Sequence, residues 1–210
     1  MDSKKKNICS LILNAFIIIN MVFCVRSFFV TGTEGNMSAS GWQAFRYYTI
    51  DSNVFCAIAC LSVLVFNIRS LGKKRLEMPQ WALILKFSAT VAVTVTFLVV
   101  AVFLGPTIGY GKMYTGANVF MHGLNAPAAL AGLLLFESGI DFPKEKFVWG
   151  TASVFVYGTL YLIMVMIVKA WPDFYGFATV LRWWFSYPAM MAIGFFVSKL
   201  IWRLYRGKSE

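Results

Sequence analysis

The stretch from Lys112 to Glu137, KMYTGANVFMHGLNAPAALAGLLLFE, holds the sole histidine among 210 residues inside a run otherwise suited to lipid. A charged group at membrane depth costs about 2.5–3.5 kcal/mol on insertion scales, so such residues face a cavity or a partner. A neutral histidine tying two helices together by one hydrogen bond is the plainer alternative. Asn118, four residues before His122, and Asn125, three after it, favour the first reading. Helical spacing gathers these polar groups on one face, while Phe120, Leu124 and Leu130 supply apolar surface elsewhere.

The rest of the chain has the same character. Hydrophobic residues make up 59% and charged residues 13%, the mean hydropathy is +0.69, and apolar runs of membrane-spanning length recur. The expected fold is therefore all-α, a polytopic membrane protein in contact with the lipid bilayer. The net charge of +10 does not imply nucleic acid, because no nucleic-acid motif accompanies it and basic residues at span ends reflect topology. Cys9, Cys24, Cys56 and Cys60 lie in apolar runs without Cys-x-x-Cys spacing and read as small core residues. Neither a metal nor a cofactor is expected.

Six helices are expected. Helix 1 runs from about residue 8 to 30 after Lys4, Lys5 and Lys6, interrupted by Asn14, Asn20 and Arg26. The polar loop TGTEGNMSASG follows. Helix 2 spans about 42–68 and opens with WQAFRYYTIDSNVF. A basic loop with Arg69, Lys73, Lys74 and Arg75 leads to helix 3 at about 80–104, where Lys86 is expected to snorkel. The Gly-rich GPTIGYGKMYTG precedes helix 4, whose small residues suit a central position. Helix 5 spans about 147–168, and helix 6 about 177–200 before a basic tail.

The amino terminus, the loops between helices 2 and 3 and between 4 and 5, and the tail hold 3, 4, 2 and 4 Lys and Arg residues, the last count including Lys199 at the end of helix 6. Both termini are thus expected in the cytoplasm, with the cell membrane as the location. Short loops and the lack of an internal repeat indicate one domain over residues 1–210.

In that topology Thr49 and His122 enter from the same side. At 1.5 Å per residue Thr49 stands about 30 Å above Arg69 and His122 about 22 Å above Glu137, an offset of roughly one turn. Arg46, Thr49 and Asn53 share a helix face, and Asp51 does not. Most intramembrane threonines only bond a backbone carbonyl or a neighbouring helix; a hydroxyl becomes a nucleophile when a base takes its proton.

The segments RYYTIDSN and NVFMHGLNAP resemble the androgen-induced protein and androgen-dependent TFPI-regulating protein family, and the likeness covers most of the chain. Arg46 matches a basic residue three before the family threonine, Thr49 the threonine itself, and Asn118, His122 and Pro127 an Asn-x3-His-x4-Pro segment. Arg182 resembles an arginine early in the family's last helix. The resemblance implies a multispanning hydrolase that cleaves fatty acid esters of hydroxy fatty acids with Thr49 as nucleophile and His122 as base. Glu137 departs from the pattern, lying further from the histidine than the family's acid does, and is given no catalytic role.

On this reading Asn53 or Asn118 is expected to donate to the oxyanion, and Asn118 or Asn125 to fix the histidine tautomer. Arg46 and Arg182 are candidates for holding a substrate carboxylate, with pairing to Asp51 or lipid headgroups the commoner use of such residues. The aromatic clusters near Trp42 and Trp183 suit an interfacial belt. The expected partner is a membrane lipid or fatty acyl ester. Two other readings use the same residues: a non-catalytic lipid-binding or small-molecule transport protein, and an acyltransferase.

Overall fold

The computed structural model describes residues 2–30, 41–73 and 76–207. Most of the TGTEGNMSASG loop, Lys74, Arg75 and the last three residues lie outside them. The chain is 80% helical, without a strand among the described residues. Six helices are long and apolar enough to cross a membrane: α1 (Ser3–Val30), α2 (Tyr48–Arg69), α3 (Gln80–Ile108), α4 (Val119–Phe136), α5 (Lys144–Ile167) and α6 (Trp183–Arg206).

The distribution of polarity is inverted relative to a protein folded in water. On α1 the buried face carries Asn7, Ser10, Asn14 and Asn20, while Ile12, Ile19, Val22 and Phe23 are exposed. Beside lipid tails this is the favourable arrangement, because outward apolar groups lose nothing and inward polar groups find partners. Arg26, expected to face protein or snorkel from the helix end, is exposed.

The central helix is α3, not α4: 67% of its most apolar window is buried, against 44% for α4. From Lys86 to Thr96 every residue of α3 is buried, because its small and β-branched side chains let neighbours approach on all sides. Gly150 on α5 makes one of these approaches possible. A Cβ there would collide with Ser198 Oγ and lie 2.9 Å from Val91 and 3.0 Å from Phe87.

Lys86 does not snorkel. It is 1% exposed, and its ammonium donates to Asn14 Oδ1 at 2.7 Å and Cys60 Sγ at 3.0 Å. Glu137, also 1% exposed, accepts from Ser10 Oγ and Asn14 Nδ2 at 2.8 Å each. Asn14 thus lies between a buried cation and a buried carboxylate. Asn7 and Asn67 extend the network toward the helix ends through a 2.8 Å side-chain bond.

The last helix starts at Trp183 rather than near 177. Asp173 explains the delay, accepting from the Thr179 hydroxyl at 2.6 Å and from the amides of Ala178 at 3.1 Å and Thr179 at 2.8 Å. These bonds satisfy backbone donors in a non-helical turn. Arg182 then adopts φ 57° at the helix entrance.

Candidate active site

His122 lies on a π-helical turn, Val119–Leu124, just before the α-helical segment Asn125–Ala131. Pro127 has no N–H to offer the carbonyl four residues back, which favours a widened turn at this point. The change of winding breaks the single polar face expected from regular spacing. Asn125 turns toward α2, and its amide donates to Asn53 Oδ1 at 2.9 Å.

Asn53 joins the two catalytic candidates through their backbones. Its amide donates to the carbonyl of its own helix at Thr49, 2.8 Å away, and to the carbonyl of Met121 at 3.1 Å. The one-turn offset from the sequence ruler is thereby closed, since one side-chain amide spans the level of Thr49 and the residue before His122. Glu137, the lower end of that ruler, is itself drawn into the bundle.

The same bonds correct the expected role of Asn53. An amide has two N–H donors, and both are engaged with carbonyls, leaving none for an oxyanion. Neither Asn125 nor Asn118 fixes the histidine tautomer. That position belongs to the Met113 carbonyl, 2.6 Å from His122 Nδ1. A carbonyl only accepts, so Nδ1 carries the proton and Nε2 the lone pair. His122 is 1% exposed, and its Nε2 is buried without a hydrogen-bond partner.

Thr49 borders a cavity of about 60 Å³ between α2, α3, α5, α6 and the segment before α6. The other hydroxyls around it are engaged. Thr96 bonds Ser52, Ser186 bonds the Phe177 carbonyl, and Tyr48, Tyr157 and Tyr187 bond Ser153, the Arg46 carbonyl and Thr159. Tyr161 donates to Asp173, and Tyr175 receives the Tyr48 amide. The Thr49 hydroxyl makes no hydrogen bond among the described residues. His122 stands behind this wall: Val100 and Leu104 line the cavity, and they pack against Met113, whose carbonyl holds the imidazole. No hydrogen bond joins Thr49 Oγ1 to Nε2 in this state, a bond that enzymes often form only in the substrate complex.

The remaining candidates lie apart from this cluster. Asn118 is half-buried at the start of α4, its side-chain amide unbonded among the described residues. Arg46 donates to the carbonyl and side chain of Gln43. Arg182 is exposed. Neither arginine lines the cavity. Among the described residues no group of His, Cys, Asp and Glu is arranged to hold a metal ion. Sequence reasoning missed Met113, because a backbone carbonyl leaves no trace in residue type. It also missed Asn20, whose amide lies 3.4 Å from Asn125 Oδ1. The spacing of Asn7, Ser10, Asn14 and Asn20 along α1 was the signal that a polar face ran down the bundle. Comparison of the chain with family models, curated proteins and solved structures finds no match.

Proposed function

We propose that this chain is an intramembrane ester hydrolase in which Thr49 is the nucleophile and His122 the general base. The observation that carries it is a complementary pair. Thr49 has the unengaged hydroxyl on an otherwise apolar cavity wall, and His122 has an unengaged ring nitrogen in a tautomer fit to accept a proton.

In the first step Thr49 Oγ1 bonds to the ester carbonyl carbon as its proton passes to His122 Nε2. The ester C–O bond then breaks, and His122 returns the proton to the leaving alkoxide. Water attacks the acyl-threonine by the same route and regenerates the hydroxyl. Among the described residues Asn118 keeps a free amide but does not line the cavity, so no oxyanion donor is assigned among the asparagines. The substrate is a long-chain acyl ester, with fatty acid esters of hydroxy fatty acids the class implied by the likeness to the androgen-induced family. We place both termini in the cytoplasm from the clustering of Lys and Arg in the termini and in alternate loops of the sequence, and we propose the cell membrane as the location. In a cysteine-free background, cysteines at Lys112 and Lys144 label from opposite sides; labelling from one side would overturn that orientation.

The hydrolase is tested with Thr49→Ala, His122→Ala and the double variant, assayed on a long-chain ester and with a fluorophosphonate label. Residues that act as one unit lose activity together, so the double variant falls no further than the worse single. Multiplicative losses would contradict a shared step. Turnover that survives Thr49→Ala, or intact lipid binding with no turnover, would favour the lipid-binding reading.

A further inference from the structure

The cavity beside Thr49 is bounded by Tyr48, Tyr157, Tyr161, Tyr175, Phe177 and Tyr187. Most of these rings form a continuous series. Centroid separations are 5.0 Å for Tyr48 and Tyr157, 6.1 Å for Tyr157 and Tyr161, 5.5 Å for Tyr161 and Tyr175, and 5.2 Å for Tyr175 and Phe177. Every tyrosine oxygen in the set is tied to another protein group. Besides the Thr49 hydroxyl and the aliphatic side chains of Val99, Val100, Leu104, Val154, Leu162 and Met190, the lining offers a ligand aromatic surface, and the face of an aromatic ring carries the negative lobe of its quadrupole.

The charges around this surface select among ligands. No Lys, Arg or His lines the cavity, so an anionic group seated inside it would meet no countercharge; the phosphate of a choline lipid, or the carboxylate of a hydroxy fatty acid ester, would have to lie outside the cavity. Asp51, one turn of α2 beyond Tyr48, is half-buried, and its carboxylate has neither hydrogen bond nor ion pair among the described residues. Its charge reaches the cavity wall: the Tyr175 phenol is pushed above its ordinary value chiefly by burial, with the negative charge of Asp51 adding to the effect. A primary ammonium is less well served, because its three N–H groups need acceptors and the lining offers only the Thr49 hydroxyl and the lone pairs left on the hydrogen-bonded tyrosine oxygens. A methylated cation has no such need.

We propose that this cavity binds a quaternary ammonium group, the trimethylammonium end of a choline ester or of a choline lipid. The volume suits it: at about 10–15 Å³ per water the cavity holds roughly four to six waters, comparable with the four heavy atoms of a trimethylammonium. In a choline ester two carbons separate that nitrogen from the ester oxygen. The ammonium in the aromatic wall therefore brings the ester toward Thr49, and the acyl chain stays in the bilayer. The catalytic part of this inference rests on the reading of Thr49 as nucleophile; the binding part does not.

The test uses the full-length protein in nanodiscs of phosphatidylglycerol, which lack choline. Tetramethylammonium and choline are titrated calorimetrically, choline against its neutral isostere 3,3-dimethyl-1-butanol. Saturable binding of the cation is expected, weakened on the order of tenfold by Tyr175→Leu and by Asp51→Asn and retained in Tyr175→Phe, which keeps the ring. Palmitoylcholine is expected to exceed 3,3-dimethylbutyl palmitate in kcat/KM by about tenfold. Turnover of lysophosphatidylcholine alongside or in place of palmitoylcholine identifies a lipid headgroup as the source of the cation; either result supports the site. Equal handling of the cation and its neutral counterpart, or no tetramethylammonium binding, overturns the ammonium site and leaves the hydrolase standing. Saturable tetramethylammonium binding without hydrolysis of any ester retracts the hydrolase and keeps the site.

Discussion

His122 Nδ1 lies 2.6 Å from the main-chain oxygen of Met113, so a backbone carbonyl nine residues earlier determines which imidazole nitrogen is free. Because the chain has one histidine, this relationship can be read without site-directed labelling. Protein grown with ¹⁵N-histidine is predicted to give one protonated, pyrrole-type Nδ1 and one bare, pyridine-type Nε2 at neutral pH. A proton on Nε2 and none on Nδ1 would remove the proposed base.

The network around Asn14 gives a prediction about stability. Lys86 and Glu137 are both buried, and Asn14 bonds each of them. Lys86→Met or Glu137→Gln alone leaves the other buried ionisable group less compensated; breaking a direct buried ion pair costs about 3–5 kcal/mol, and with Asn14 between these two groups a smaller loss is predicted. The double variant is predicted to recover part of that loss, as a double-mutant cycle in reversible detergent unfolding reports. Additive losses would show that the two groups do not sense each other.

Legibility followed the physics of each feature. The helices were readable because lipid selects long apolar runs, and α1, α2, α3 and α5 depart from the expected spans only at their ends. Lys86 was misread because a long aliphatic stem equally suits the membrane surface and a buried network. Only the positions of Asn14, Cys60 and Glu137 in space separate the two. The start of α6 was misplaced because Asp173 captures the amides of Ala178 and Thr179, a local competition that hydropathy does not register. Thr49, His122, Asn53 and Asn125 were legible as residues, whereas the partner of each required the π-helical turn and the packing of α2 on α4.

The segment before α6 should respond to acid. Burial works to raise the Asp173 carboxyl, but hydrogen bonds from Thr179, Tyr161 and the Thr179 and Ala178 amides outweigh it and hold the group below its ordinary value of 3.8. A carboxyl with a lowered folded value stabilises fully above its unfolded value, and that contribution is lost as pH falls through the folded one. Hydrogen exchange over residues 169–182 is therefore predicted to stay slow from neutral pH down to 3.8 and to quicken below it, after correction for intrinsic exchange. In Asp173→Asn it should be fast throughout. Unchanged protection in that variant would mean that other contacts hold the segment.

The central claim is that Thr49 becomes covalently acylated. Purified protein mixed with a long-chain activated ester, quenched in acid within the first turnovers and digested, is read by mass spectrometry. The account predicts the mass of the acyl group on the peptide bearing Thr49, lost in Thr49→Ala, which keeps its thermal stability, and strongly reduced in His122→Ala. Ester turnover by the wild-type protein with the acyl group on another residue, or turnover undiminished in Thr49→Ala, would contradict it.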